Sequence, residues 1–275
     1  MNTFFGDDTY LKFSEDDPVP RISILGGILI SDTEELRLIN SIKSIVGKYT
    51  HPDLPVKYNF KDSSVKQAYE EFNKGEDFKK ILSNSLQIRK EILEASVNIE
   101  YQIIVSCIKG FSQKRDVLIA KKADMTQYGL ENLLFRLGNE AKGKKQRYQI
   151  VFDWPNSSDP KPFYRTYYYV YNRDKTISGG KNHCGPLKNF GFSSSILFTK
   201  ASHNSCLQFV DIVIGAMRDT IEMCIDGRDE CTGNQMVEIV KDKIRKSPSG
   251  KRVGYGIIIA NGNEDIRKVL EKQFD

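Results

Sequence analysis

The chain has 275 residues, 39% hydrophobic and 28% charged, and 41 Lys and Arg against 36 Asp and Glu leave a net charge of +5. This is the composition of a globular protein with ample core, and it excludes a low-complexity or disordered chain. The mild positive balance is compatible with a polyanionic partner without requiring one.

Targeting and cysteine signals point the same way. Met1-Asn2-Thr3-Phe4-Phe5 lacks the basic-then-apolar order of a secretory signal, and the longest apolar runs, Ile22 to Ile30 and Leu207 to Met217, are too short to span a bilayer. Cys107, Cys184, Cys206, Cys224 and Cys231 show neither a disulfide framework nor paired zinc-ligand spacing, and His183-Cys184 is a lone His/Cys neighbour pair. The expectation is a cytoplasmic, reduced protein with no membrane partner.

In chain order, Thr3-Phe4-Phe5 predicts a short strand ending at Gly6-Asp7-Asp8-Thr9, and Arg21 to Ile30 predicts an antiparallel partner. Ser31-Asp32-Thr33-Glu34 fits a capping box opening a helix to about Gly47, with Leu36, Ile39, Ile42 and Ile45 at helical spacing. Thr50 to Asp62 carries two prolines and reads as loop or extended chain, followed by helices over 63–72 and 76–95. The β-branched run from Val97 to Lys109 predicts a strand, then a helix runs from about Gln113 to Ala141. Tyr148 to Asp153 reads as a strand with an aspartate at its C-terminal end. Phe163 to Arg173 reads as helix, and Phe192 to Lys200 as a strand leading straight into the next helix. After Gly227 come a helix to about Lys246, a strand over 255–260 and a helix from Glu264. This order predicts a three-layer α/β fold with a mixed central sheet.

The helix over Ser202 to Asp219 is apolar around most of its circumference, so it must be buried. Asn204, Gln208, Asp211, Gly215, Arg218 and Glu222 fall on one narrow polar stripe, and a buried Asp211 needs a cation. The stripe also reads as a solvated face with Asp211 paired to Arg218. Asp7, Asp153 and Asp211 all stand where strand ends meet the layer above, the usual place for ligand sites in α/β sheets. Converging carboxylates repel one another unless a divalent cation neutralises them, and oxygen-only ligands suit Mg²⁺ or Mn²⁺, which can hold a phosphodiester and activate water.

The pattern resembles the ribonuclease-H-like superfamily, whose catalytic acids come from the first strand, the fourth strand and the last helix. More closely, it is similar to the prokaryotic family called domain of unknown function 3800. That family opens with a strand ending Asp-Glu-Ser-Gly and closes with a helix reading Leu-Gln-x-x-Asp-x-x-x-Gly. Asp7-Asp8-Thr9 stands for the first motif and Leu207-Gln208 through Asp211 to Gly215 for the second, with Asp8 in place of Glu, Thr9 in place of Ser and no Gly following. Lys57 in Pro55-Val56-Lys57 corresponds to the family's lysine after the early helix.

The resemblance implies one ribonuclease-H-like domain over 1–275. Its core would span about 3–226, with a helical insertion at about 31–96 and a C-terminal α/β extension over 227–275. It also implies a metal-dependent nuclease acting on DNA or RNA, in a setting of prokaryotic defence. Asp7, Asp8, Asp153 and Asp211 would hold Mg²⁺ or Mn²⁺, Gln208 would orient Asp211, and Lys57 and His203 would serve the phosphate or move protons. The alternatives are a non-catalytic binding or assembly module on the same fold and a hydrolase of a small phosphorylated metabolite. The tyrosines between Tyr164 and Tyr171 read as core or as base-stacking surface, and the basic stretches 142–147 and 241–252 as solvated surface or phosphate contacts.

Overall fold

Phe4 and Phe5 point to opposite faces of the first strand, and each anchors a separate layer of core. In the computed structural model the described residues are 1–11, 21–109, 122–154, 160–173, 175–176, 184–259 and 264–275, with the backbone alone described at 122–123. Strand β1 (Asn2–Leu11) pairs antiparallel with β2 (Ile22–Ser31) along its whole length, and β2 pairs antiparallel with β3 (Tyr101–Lys109). β4 (Tyr148–Asp153) runs parallel to β1, β5 (Leu197–Thr199) parallel to β4, and β6 (Ile257–Ile259) parallel to β3. The result is a six-stranded mixed sheet in the order β5-β4-β1-β2-β3-β6. Gly27 keeps β2 in register through its glycine pair, because a Cβ there would lie 1.8 Å from the Phe5 carbonyl oxygen.

Helices cover both faces. Phe4, Leu25, Ile104, Ile150 and Phe152 pack under α5 (Lys122–Ala141) and α6 (Lys161–Asn172). Phe5, Ile24, Ile28, Ile103 and Val105 pack under α7 (Ser205–Ile225), which is backed by α1 (Asp32–Val46), α8 (Thr232–Val240) and α9 (Glu264–Phe274). Between α1 and β3 lie α2 (Ser63–Glu71), α3 (Gly75–Ser83) and α4 (Ser85–Ser96), so a helical segment does follow the second strand. Three layers and a mixed sheet agree with the fold expected from the chain order.

Local details differ from expectation, each for a physical reason. Ser31 is the N-cap of α1 without a side-chain cap, and the reciprocal half of the expected box is missing because the Glu34 carboxylate is drawn to Arg37 and to the Glu100 N–H. Leu38, not Leu36, fills the core side of that helix. The single helix expected over 76–95 is two, broken where Ser83 and Asn84 turn their side chains back onto the Lys80 carbonyl. The strand expected over 192–200 narrows to Leu197–Thr199, since the serine run before it offers no apolar alternation, and a 3-10 turn over Ala201–His203 separates it from α7. The helix after residue 227 ends at Val240 rather than near Lys246. Residues 227–275 are integral to the fold: β6 extends the sheet, while Met236, Val237, Leu270 and Phe274 are buried in the α7-side core. The first part of the helix expected from Gln113, and His183, lie outside the described residues.

Candidate active site

β1 and β4 stay in parallel register up to Gly6 opposite Phe152, so Asp7 and Asp153 are the next residues on strands about 4.8 Å apart. Alternation along each strand settles which way they face. Phe5 and Val151, two positions earlier, pack into the core beneath α7, so Asp7 and Asp153 face α7 as well. Asp7 does not end its strand as expected: β1 continues to Leu11 against β2 alone, and Asp7 marks the place where the β1–β4 pairing stops.

Asp8 points the other way, opposite Leu25 on the α5 face, where it accepts a hydrogen bond from the Tyr10 hydroxyl. Asp8 therefore does not join Asp7 and Asp153 on the α7 face, because a strand sends successive side chains to opposite sides.

Asp211 comes from α7, and the polar stripe of that helix has a specific task. Segment 54–60, lacking regular structure, lies along it and is held at successive turns. Gln208 Oε1 accepts the Val56 N–H (3.3 Å) while its Nε2 donates to the Ala201 carbonyl (3.0 Å), so Gln208 ties the segment to the turn before α7. Asp211 Oδ2 accepts the Tyr58 N–H at 2.5 Å. Gly215 leaves room for the Tyr58 ring, since a Cβ there would lie 2.2 Å from Tyr58 Cγ, and the Tyr58 hydroxyl donates to Asp219. Arg218 pairs with Asp219 (2.7 and 2.9 Å) and sits over the Tyr58 ring, so the expected Asp211–Arg218 pair does not form. The stripe is thus a track for residues 54–60 rather than a solvated face, and Gln208 orients that segment instead of bonding Asp211.

The track delivers Lys57 to the carboxylates. Its Nζ lies 3.3 Å from Asp62, whose other oxygen caps α2 through the Ser64 N–H. Burial works against the charge on Lys57, but Asp211, Asp62 and Asp153 outweigh it and raise its pKa above the ordinary lysine value. Lys57 is therefore a fixed positive charge near neutral pH and does not take up a proton. The same balance raises all three aspartates. Burial is the largest cause for each. Asp7 is pushed well above the usual carboxylate range by burial, then by Asp211, Asp8 and Asp153, with only the Asp8 N–H opposing. In Asp211 and Asp153 the rise is opposed by backbone N–H groups and by Lys57.

Each of the three has one oxygen engaged and one uncommitted among the described residues. Asp7 Oδ1 accepts the Asp8 N–H (2.7 Å), Asp153 Oδ1 accepts the N–H groups of Ala201 (2.7 Å) and Trp154 (2.9 Å), and Asp211 uses Oδ2. Uncommitted carboxylate oxygens on groups that repel one another are the donor chemistry of a Mg²⁺ or Mn²⁺ site. Among the described residues, no three His, Cys, Asp or Glu side chains already stand at metal-holding separation. The donor set fits such an ion in kind, and the side chains would have to close upon it.

A cleft of about 320 Å³ opens beside Asp153, between α2 and the turn before α7, lined in part by Lys57, Ser64, Gln67, Lys200, Ser202 and His203. His203 is exposed at this cleft. Lys200 and Tyr58 were not expected here; the small residue Gly215, spaced one turn from Asp211, was the sequence signal that something packs against α7. The basic stretches are elsewhere. Residues 142–147 precede β4, whose length places them roughly 15–20 Å from Asp153. Lys144 of the first stretch and three basic groups of 241–252 are bound within the chain: Lys144 and Arg245 to Glu140, Lys243 to the Ile99 carbonyl, Arg252 to Asp242. No helix among the described residues is long and apolar enough to cross a membrane.

Compared with known proteins, the chain matches no family model, no curated protein and no solved structure.

Proposed function

We propose that this protein is a divalent-metal-dependent phosphodiesterase of ribonuclease-H-like type acting on nucleic acid, akin to the domain of unknown function 3800. The observation that carries the reading is the convergence of Asp7 from β1, Asp153 from β4 and Asp211 from α7 on one face of the sheet, each with an oxygen to spare. First strand and fourth strand are places the superfamily resemblance implies; the third acid comes from α7, which α8 and α9 follow, rather than from the last helix. Asp7, Asp153 and Asp211 would hold Mg²⁺ or Mn²⁺, which when bound neutralises a phosphodiester and makes water a nucleophile at neutral pH.

The chain's own groups do the rest. Lys57, held charged, faces a phosphate oxygen from the cleft, and Lys200 adds a second positive charge there. His203, exposed at the cleft, gives a proton to the departing oxygen. Gln208 and Tyr58 keep the Lys57 segment in place. Asp8 has no part in the ion site on this reading, since its side chain lies on the other face of β1.

Purified protein incubated with single-stranded and duplex DNA and RNA, in Mg²⁺ or Mn²⁺ against EDTA, tests this directly. Cleavage is expected with metal alone, falling at least ~100-fold, about 2.7 kcal/mol of barrier, in Asp7→Asn, Asp153→Asn and Asp211→Asn. Unchanged cleavage in all three variants, or none by the native chain on any substrate, overturns the reading. The cleft favours one alternative, since its volume is at the lower end for small-molecule sites. Release of phosphate from nucleoside phosphates, with polymers left intact, would establish that alternative instead.

A further inference from the structure

The residues of α6 that face solvent are Lys161, Tyr164, Arg165 and Tyr168, which share one helical face at spacings of three and four. The helix contains no acidic residue. The neighbouring tyrosine Tyr167 is buried, with its hydroxyl bonded to the Ser193 carbonyl at 2.5 Å, and Tyr169 and Tyr171 are half-buried, which leaves Tyr164 and Tyr168 as the outward pair. Tyr164 is 46% and Tyr168 67% exposed, which packing within the fold does not explain.

The outward pair continues to the C-terminal end of β4, on the α6 side of the sheet. Tyr164 meets the Phe198 ring edge-on at 5.1 Å, and Phe198 meets Trp154 at 6.0 Å, so Phe198 joins two exposed rings into one surface. Trp154 is itself 44% exposed, follows Asp153 directly, and is fixed by its N–H bonds to the Thr199 carbonyl and to Asp153. Aromatic faces with the cationic Arg165 among them, ending at the residue after Asp153 on the sheet face opposite its carboxylate, match the chemistry of a strand whose bases are unpaired: rings stack on bases while Arg165 meets phosphates. A duplex offers no free base faces to such a surface.

We propose that the outward face of α6, continued by Trp154, is a stacking platform for single-stranded nucleic acid. This names the form of substrate for the site proposed above; cleavage of the bound strand rests on that reading, whereas binding does not.

Trp154 is the sole tryptophan, so its fluorescence reports on the platform directly. The native chain is titrated in EDTA with an unstructured oligonucleotide, as DNA and as RNA, and with the same sequence annealed to its complement. Saturable quenching by the single strand is expected, with the duplex binding at least about ten-fold more weakly. Tyr164→Ala and Tyr168→Ala should each weaken single-strand binding by about five-fold or more, whereas Tyr164→Phe retains it. Both tyrosines are exposed, so melting temperatures should stay unchanged and separate lost binding from lost folding. No binding, equal affinity for duplex, or affinity indifferent to both alanine changes overturns the proposal. Tyrosine-dependent binding without metal-dependent cleavage would keep the platform and remove the nuclease; cleavage indifferent to both tyrosines would do the reverse.

Discussion

Asp7 is surrounded by its own kind. Apart from burial, the groups that raise its pKa are Asp211, Asp8 and Asp153, while Lys57 acts on the other two aspartates of the cluster. A carboxyl raised in the folded state costs stability as pH climbs, because the unfolded chain releases its proton at about pH 4 while the folded chain still holds it. Asp7→Asn should therefore stabilise the metal-free protein at pH 7 by on the order of 1 kcal/mol, or a few degrees in melting temperature. Urea unfolding in EDTA from pH 4 to pH 8 should show this advantage growing with pH and levelling off above the native pKa of Asp7. With Mn²⁺ or Mg²⁺ added the order should reverse, since the ion needs the carboxylates that burial penalises. An Asp7→Asn variant less stable than the native chain in EDTA at every pH would disprove this electrostatic account.

At the scale of elements, the decisive contact joins α7 to segment 54–60. Gly215 is the point of closest approach, and Asp211 and Asp219 hold Tyr58 at its N–H and its hydroxyl. Gly215→Ala should cost about 1–3 kcal/mol by overpacking against Tyr58 and should lower activity by displacing Lys57. In a double-mutant cycle with Tyr58→Ala the two costs should be far from additive, because removing the ring removes the clash. Chemical denaturation of the four proteins measures this; additive costs would mean that Gly215 matters for another reason. The Asp211 motif was legible in the sequence as a buried acid on an apolar helix. Its partner was not, because Tyr58 is brought to it across 153 residues and no local pattern encodes that meeting.

For the whole molecule, the sheet is closed on its β3 edge by the C-terminal segment. Ile257, Ile259, Leu270 and Phe274, in the C-terminal α/β extension expected over 227–275, are buried in the same core as α7. A chain ending at Asp226 should lose cooperative thermal unfolding and become sensitive to limited proteolysis, since it exposes that apolar surface. Native-like melting of the shortened chain would show the segment to be dispensable.

The sequence by itself determined the main order of strands and helices, the burial of α7, and Asp153 and Asp211 as acids that end a strand or interrupt an apolar face, whereas Asp7, expected to end its strand, lies within β1. These come from periodicity and from the cost of burying charge, which are properties of short stretches. Tertiary structure alone decided that Asp8 turns away from Asp7, that Arg218 serves Asp219 rather than Asp211, that Lys57 reaches the carboxylates, and that Tyr164 and Tyr168, of the five α6 tyrosines, face outward. Each of these depends on which surfaces meet across long separations in the chain, where strand register and helix packing set the partners and residue type does not.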